Sequence, residues 1–184
     1  MTAMQRRRFL QVGLAATGVS LLNPSQAFAI CKVPAKTLQV YNMHTGEKIK
    51  ATFWEHGQYV PQALAEINKI LRDHRNGQVH TIDPKLLHTL YDTKVLLEAT
   101  DKPVQIISGY RSPASNAMLA AHSGGVAKHS LHMQGMATDI RIEGVGVEHI
   151  RKAGLALRRG GVGYYPVSNF VHLDTGAVRT WSGA

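Results

Sequence analysis

The 184-residue sequence contains one cysteine, Cys31, so no disulfide can form within the chain. Outside a reducing compartment such a domain must rely on its apolar core. Negative charge is also scarce: 12 aspartates and glutamates face 21 lysines and arginines, for a formal net charge of +9. That imbalance suits a polyanionic partner such as a cell wall or a membrane surface. Aromatic residues make up 7% of the chain, and no basic-aromatic motif accompanies the charge, which argues against nucleic acid. Beyond residue 30 no apolar run is long enough to span a bilayer. Internal repeats and low-complexity blocks are absent.

The start of the chain reads as an address. Arg6, Arg7 and Arg8 precede Phe9-Leu10, an apolar run extends from Val12 to Leu22, and Ala27-Phe28-Ala29 supplies small residues for cleavage. This is the order of a secretory signal, and it is too short and too interrupted by glycine to be a membrane span. Paired arginines before Phe-Leu point to the twin-arginine route, which carries folded proteins and places the product in the periplasm. Residues 1–29 are then the signal and residues 30–184 one domain of ordinary size. Cys31 follows Ile30 in Phe28-Ala29-Ile30, where a lipid-modified cysteine usually follows a small residue, so it is expected as a plain thiol.

Along the rest of the chain, Thr37 to Trp54 alternates as a hairpin about His44-Thr45-Gly46. Pro61 to about Arg75 has helical spacing at Leu64, Ile67, Ile70 and Leu71. Asp83-Pro84 starts a second helix with a buried stripe of Leu86, Leu87, Leu90, Tyr91 and Leu97. Val104–Ile107 is a short strand, Ser115–Ala121 a short helix, and His122–Gly135 has no period. A strand at Thr138–Ile142 and a helix from Val147 to Arg158, stopped by Gly160-Gly161, follow. Val162–Tyr165 and Phe170–Asp174 form a hairpin, and Val178–Trp181 adds an edge strand. Early helices and a late antiparallel meander predict the α+β class, with a small antiparallel sheet flanked by helices.

Chemistry concentrates late in the chain. His132, Asp139 and His172 are ordinary zinc ligands, and three protein ligands leave a fourth position open, as in catalytic zinc sites. His172 lies mid-strand, with Val171 and Leu173 on the opposite face; a polar group in such a place needs a partner. The competing reading makes His132 a surface loop residue, Asp139 a strand-end cap and His172 a satisfied core histidine.

The surroundings of these residues resemble a known family. Ser130-x-His132-x-x-Gly135-x-Ala137-x-Asp139 is similar to the signature of the zinc D-alanyl-D-alanine peptidases and their murein endopeptidase relatives. Ser108-Gly109-Tyr110-Arg111-Ser112-Pro113 lies where that family places its substrate-binding arginine. Gly160-Gly161-Val162-Gly163-Tyr164-Tyr165-Pro166 followed by Asn169 to Gly176 resembles the murein endopeptidase K branch. The likeness runs from Thr37 to Trp181. It implies the zinc D-Ala-D-Ala peptidase (Hedgehog-like) fold, one Zn²⁺ held by His132, Asp139 and His172, and hydrolysis of peptide cross-links in peptidoglycan. Arg111 would then stabilise the oxyanion or clamp a substrate carboxylate.

Relatives in that family place a glutamate or a histidine shortly before the last zinc histidine. Those positions here hold Asn169 and Phe170, neither of which accepts a proton in that role. Asp174, on the strand face of His172 at a Cβ spacing of roughly 6–7 Å, is the expected general base or else orients a ligand; His129 is the other candidate. Tyr110, Tyr164 and Tyr165 read as half-buried strand packing or cleft lining, and Trp54 and Trp181 as residues that close the ends of the core. Two further readings compete with the endopeptidase: a D-alanyl-D-alanine carboxypeptidase, and a non-catalytic peptidoglycan-binding module with a degenerate zinc site. The sequence leaves the oligomeric state open.

Overall fold

Alternating apolar residues lay down the first two strands, β1 (Lys36–Asn42) and β2 (Lys48–Glu55), as an antiparallel pair. Leu38 and Val40 of β1 and Ala51 and Phe53 of β2 are buried, while Gln39, Tyr41, Lys48 and Lys50 point to the other face. In the connecting turn the Asn42 carboxamide oxygen accepts the backbone N–H groups of His44 and Thr45. The computed structural model describes residues 34–183 apart from 123–126 and 128. The expected export signal, Cys31, Gly124-Gly125 and Lys128 lie outside the described residues.

A two-residue strand, β3 (Gln58–Tyr59), pairs with the end of β2. Helix α1 (Pro61–Ile70) starts with proline in its first turn and buries Ala63, Ile67 and Ile70. It ends five residues short of the expected Arg75. Asn42 donates to the Ile70 carbonyl, and the Asp73 carboxylate accepts the N–H of Arg75, turning the chain out of the helix. Helix α2 (Pro84–Leu96) begins as expected, with the Asp83 side chain accepting the Lys85 N–H at 2.9 Å. Its buried stripe includes Leu86, Leu87 and Leu90, and extends to Thr93 and Lys94.

β4 (Val104–Ser108) returns beside β1 in parallel, the helical crossover through α1 and α2 making that pairing possible. α3 (Pro113–His122) follows, then a single 3₁₀ turn (Leu131–Gln134) inside the stretch that shows no period in the sequence. β5 (Ala137–Ile142), α4 (Val147–Leu157), β6 (Gly161–Tyr165), β7 (Phe170–Asp174) and β8 (Arg179–Ser182) complete the chain. α4 ends at Leu157, and Arg158 takes the left-handed conformation ahead of Gly160-Gly161.

The sheet is neither small nor wholly antiparallel. It has eight strands in the order β3-β2-β1-β4-β5-β7-β6-β8, with parallel pairing at β1/β4 and β6/β8. The α+β class stands. Helices α1, α2 and α4 cover one face, where Leu38, Phe53, Ile67, Leu86, Ile140 and Ile150 form the core. The opposite face of β5, β6, β7 and β8 carries the polar residues considered next. Among the described residues no helix is long and apolar enough to cross a membrane.

Candidate metal centre and active site

Strand register brings the first two ligands together. Asp139 on β5 pairs directly with His172 on β7, so their side chains stand side by side on one face. A slip of one residue would send both into the core. Val171 and Leu173 are buried on the helix-covered face, as the alternation in the sequence requires. His132 arrives from the 3₁₀ turn, where its own N–H is capped by Ser130 Oγ and whose end is closed by Gly135 in a left-handed conformation.

The three side chains meet in a tight triangle. His132 Nε2 lies 3.2 Å from His172 Nδ1, His172 Nδ1 lies 2.9 Å from Asp139 Oδ1, and Asp139 Oδ1 lies 3.3 Å from His132 Nε2. Ligands bonded about 2.0–2.1 Å from a tetrahedral ion stand roughly 3.3 Å apart, so the triangle needs little expansion to accept one. Among the described residues it is the one set of three such groups close enough to share a metal ion. All three residues are buried.

Both imidazoles are also fixed from behind. His132 Nδ1 donates to the Gly109 carbonyl at 2.8 Å, which leaves the Nε2 lone pair facing the triangle. Gly109 presses against Leu71, whose carbonyl would lie 2.4 Å from any added Cβ, so a side chain there would displace the orienting carbonyl. His172 Nε2 donates to Asp174 Oδ2 at 3.0 Å. Such partners set the tautomer and orientation of metal-binding histidines.

Asp174 is the most heavily engaged group of the site. Its carboxylate accepts from His172, from the backbone N–H of Gly161 and Gly176 at 2.8 and 2.9 Å, and from both terminal nitrogens of Arg179 at 3.1 and 2.7 Å. A Cβ on Gly161 would sit 2.5 Å from Asp174 Oδ2, so the residue at this position must be glycine for the carboxylate to seat there. Burial opposes the charge on Asp174, yet His172, Arg179 and the two N–H groups hold its pKa well below the usual carboxylate range. Burial likewise opposes the charge on Asp139, and His132 and His172 bring it far down. For His172, burial disfavours protonation, but Asp139 and Asp174 outweigh it and raise the pKa to about 9. A divalent ion would take the place of that imidazolium proton.

Arg111 is nine-tenths buried beside the triangle, with Nη2 3.9 Å from Asp139 Oδ2. Asn116 Oδ1 and Ser108 Oγ accept from its terminal nitrogens at 3.3 and 3.4 Å, and its buried Nε has no hydrogen-bond partner among the described residues. Burial lowers its pKa, and Asp139 opposes that shift. His129 is exposed in the turn before Ser130 and lines the same cleft, of about 600 Å³. Tyr110 is stacked on His80 at 4.6 Å, outside the cleft lining.

The far wall holds Tyr165, for which cleft lining was one of two readings of the sequence, together with residues that the sequence did not place there. Trp181, expected to close the core, lines the cleft with its ring 5.1 Å from that of His172. Phe170 and Tyr165 stack at 4.4 Å on the adjoining strands. Arg179 gave no sequence signal beyond its charge; only the register of the parallel β6/β8 pair, Gly161 opposite Arg179, brings it to Asp174.

A buried His₂Asp triangle at the floor of an open cleft, with an arginine against its carboxylate, has the ligand set of a metal-dependent hydrolase. Comparison with known proteins narrows this. The family model described as peptidoglycan L,D-endopeptidase MepK matches residues 31–181. The chain is 49% identical over 177 residues to the peptidoglycan L,D-endopeptidase MepK of Escherichia coli K12, covering 96% of both chains, and equally similar to that of Shigella flexneri. It is 40% identical over 179 residues to the probable peptidoglycan L,D-endopeptidase MepK of Haemophilus influenzae, covering 97% of this chain and 96% of the relative. No solved structure matches significantly. The chain belongs to the MepK family of peptidoglycan L,D-endopeptidases, within the metallopeptidases.

Proposed function

We propose that the protein is a zinc-dependent endopeptidase that hydrolyses peptide cross-links of peptidoglycan in the periplasm, including direct links between diaminopimelate residues of two stem peptides. The observation that carries this reading is the triangle of His132, Asp139 and His172, whose edges of 2.9–3.3 Å fit one tetrahedral ion. The same ligands accept other divalent ions, and zinc is proposed from the mixed imidazole and carboxylate set. When bound, the ion supplies Lewis acidity and acidifies a water toward neutral pH. The reading implies the zinc D-Ala-D-Ala peptidase (Hedgehog-like) fold, with the larger sheet described above.

The chain's own residues then divide the work. Arg111, a rigid planar cation beside Asp139, grips the carboxylate next to the scissile amide. Asp174 holds His172 by its Nε2 proton. With both oxygens engaged by five donors it has no lone pair for a proton in flight, so the base role that the sequence reading gave it passes elsewhere. Among the described residues His129 carries the one imidazole of the cleft lining that is outside the triangle, and it takes up the proton as water attacks and returns it to the leaving amine.

Export supports the same reading. The arginine-rich start, apolar run and Ala27-Phe28-Ala29 form a signal over residues 1–29, and the Arg-Arg-Arg-Phe-Leu sequence favours the twin-arginine route. The domain is then residues 30–184. The test is incubation of the purified domain with cross-linked muropeptides, with and without chelator. Chelator-sensitive conversion of dimers to monomers is expected. Loss of a terminal residue from monomers would indicate a carboxypeptidase, and binding without turnover a peptidoglycan-binding module.

A further inference from the structure

Tyr165 has a feature that metal binding and substrate clamping leave unused. It ends β6 opposite Phe170 and on the same face as Gly163, which pairs with His172. Tyr165 and His172 are therefore diagonal neighbours, about 7–8 Å apart at their Cα atoms and within reach of an aromatic side chain. The ring is held from three directions. Phe170 stacks on it at 4.4 Å and 18°. The Gly183 backbone lies against its edge, where an added Cβ would come within 2.3 Å of Cε1. Trp181 Nε1 donates to its hydroxyl oxygen at 2.9 Å.

The last contact fixes the direction of the phenol proton. An indole nitrogen is a donor only, so the Tyr165 oxygen accepts from Trp181 and its own O–H remains free to donate. Among the described residues no acceptor takes that proton, and the side chain lines the cleft with Arg111, His132 and His172. Arg111 lies within electrostatic reach of the hydroxyl. A rigid, neutral donor, half-buried and aimed into a cleft beside a cation, is suited to an oxygen that gains negative charge during reaction.

We propose that Tyr165 is a catalytic residue whose phenolic O–H, oriented by Trp181, donates to the carbonyl oxygen of the scissile amide as it becomes a tetrahedral oxyanion. The inference rests on the endopeptidase reading and adds to it a donor for the oxyanion, Arg111 being engaged with the substrate carboxylate. No proton is transferred; the bond strengthens as charge accumulates and weakens when the carbonyl re-forms. Because the contact matters most in the transition state, it acts on kcat more than on KM.

The test compares wild type with Tyr165→Phe on a purified cross-linked muropeptide dimer. The expected result is a kcat lower by about 100-fold, a KM within twofold of wild type, and unchanged zinc stoichiometry and melting temperature. A phosphinate placed at the scissile position of a short stem-peptide mimic should lose affinity in step with kcat/KM. A kcat within threefold of wild type, or a loss confined to KM, overturns the proposal. If Tyr165→Phe does not fold, a fluorinated tyrosine at the position decides, since it keeps the shape and acidifies the phenol. The pH above which turnover falls should then move down with the ionisation of the phenol, and an unmoved profile overturns the proposal. An inactive wild type would instead sink the endopeptidase reading, leaving Tyr165 a structural residue.

Discussion

Two pairs of histidines in this fold meet opposite surroundings. His132 and His172 stand edge to face with ring centroids 5.0 Å apart, bounded by the carboxylates of Asp139 and Asp174. His44 and His74 stack flat at 3.8 Å and 9°, close to Arg75 and Arg111. In the first pair the carboxylates overcome burial and lift His172 to about 9. In the second, burial, His44 and Arg75 together bring His74 down to about 4, with Asp73 opposing. Two close imidazoles alone do not make a metal centre. The carboxylate completes the triangle at one place, and a third ligand is missing at the other among the described residues.

The largest expected effect comes from making the first pair like the second. Asp139→Ala should abolish stoichiometric zinc and lower turnover by about 10³-fold or more, since the ion's contribution of several kcal/mol is lost. Zinc analysis and dimer cleavage check this together, and retained zinc would mean that the carboxylate is no ligand. Next is Asp174→Asn. Weaker orientation of His172 should reduce zinc affinity by about 10- to 100-fold, with turnover recovered in excess zinc. Full zinc without turnover would return Asp174 to the role of base.

Arg179→Ala leaves Asp174 with His172, Gly161 and Gly176 as donors. Because Arg179 is 44% exposed at its side chain, zinc affinity should fall only a few-fold, less than in Asp174→Asn, by competition with a chromogenic chelator. An equal or greater loss would make Arg179 the dominant anchor. The smallest effect concerns stability at the second pair. With a folded pKa near 4 against 6.5 in the free group, His74 binds more protons in the unfolded chain between those values. Its contribution is complete above about pH 6.5 and is lost as pH falls toward 4. His74→Phe should flatten the slope of urea-unfolding stability between pH 7 and 5; an unchanged slope would place the pH dependence elsewhere.

The parts of this arrangement readable in the sequence are those set by neighbours in the chain. The Asp83-Pro84 start of α2, the strand alternation around His172 and the motif about His132 depend on residues within one turn or one strand. The parallel pairing of β1 with β4 was not legible, because two helices intervene and each strand reads the same with either partner. Arg179 and Trp181 look like ordinary residues of an edge strand. Their contacts with Asp174 and Tyr165 exist only once β8 lies beside β6. Asp174 was found from its spacing to His172, but its role depends on how many donors surround it, and two of those are backbone groups that no side-chain pattern reports. The α+β class followed from element order, whereas the eight-strand sheet did not.

The central claim is that one ion sits among His132, Asp139 and His172, and anomalous diffraction at the zinc absorption edge from crystals of the zinc-loaded protein tests it most directly. A single strong peak is expected about 2.0–2.2 Å from His132 Nε2, His172 Nδ1 and Asp139 Oδ1, with Asp174 still bonded to His172 Nε2. A peak at the His44–His74 stack, or zinc bound by Asp174 in place of Asp139, would contradict it.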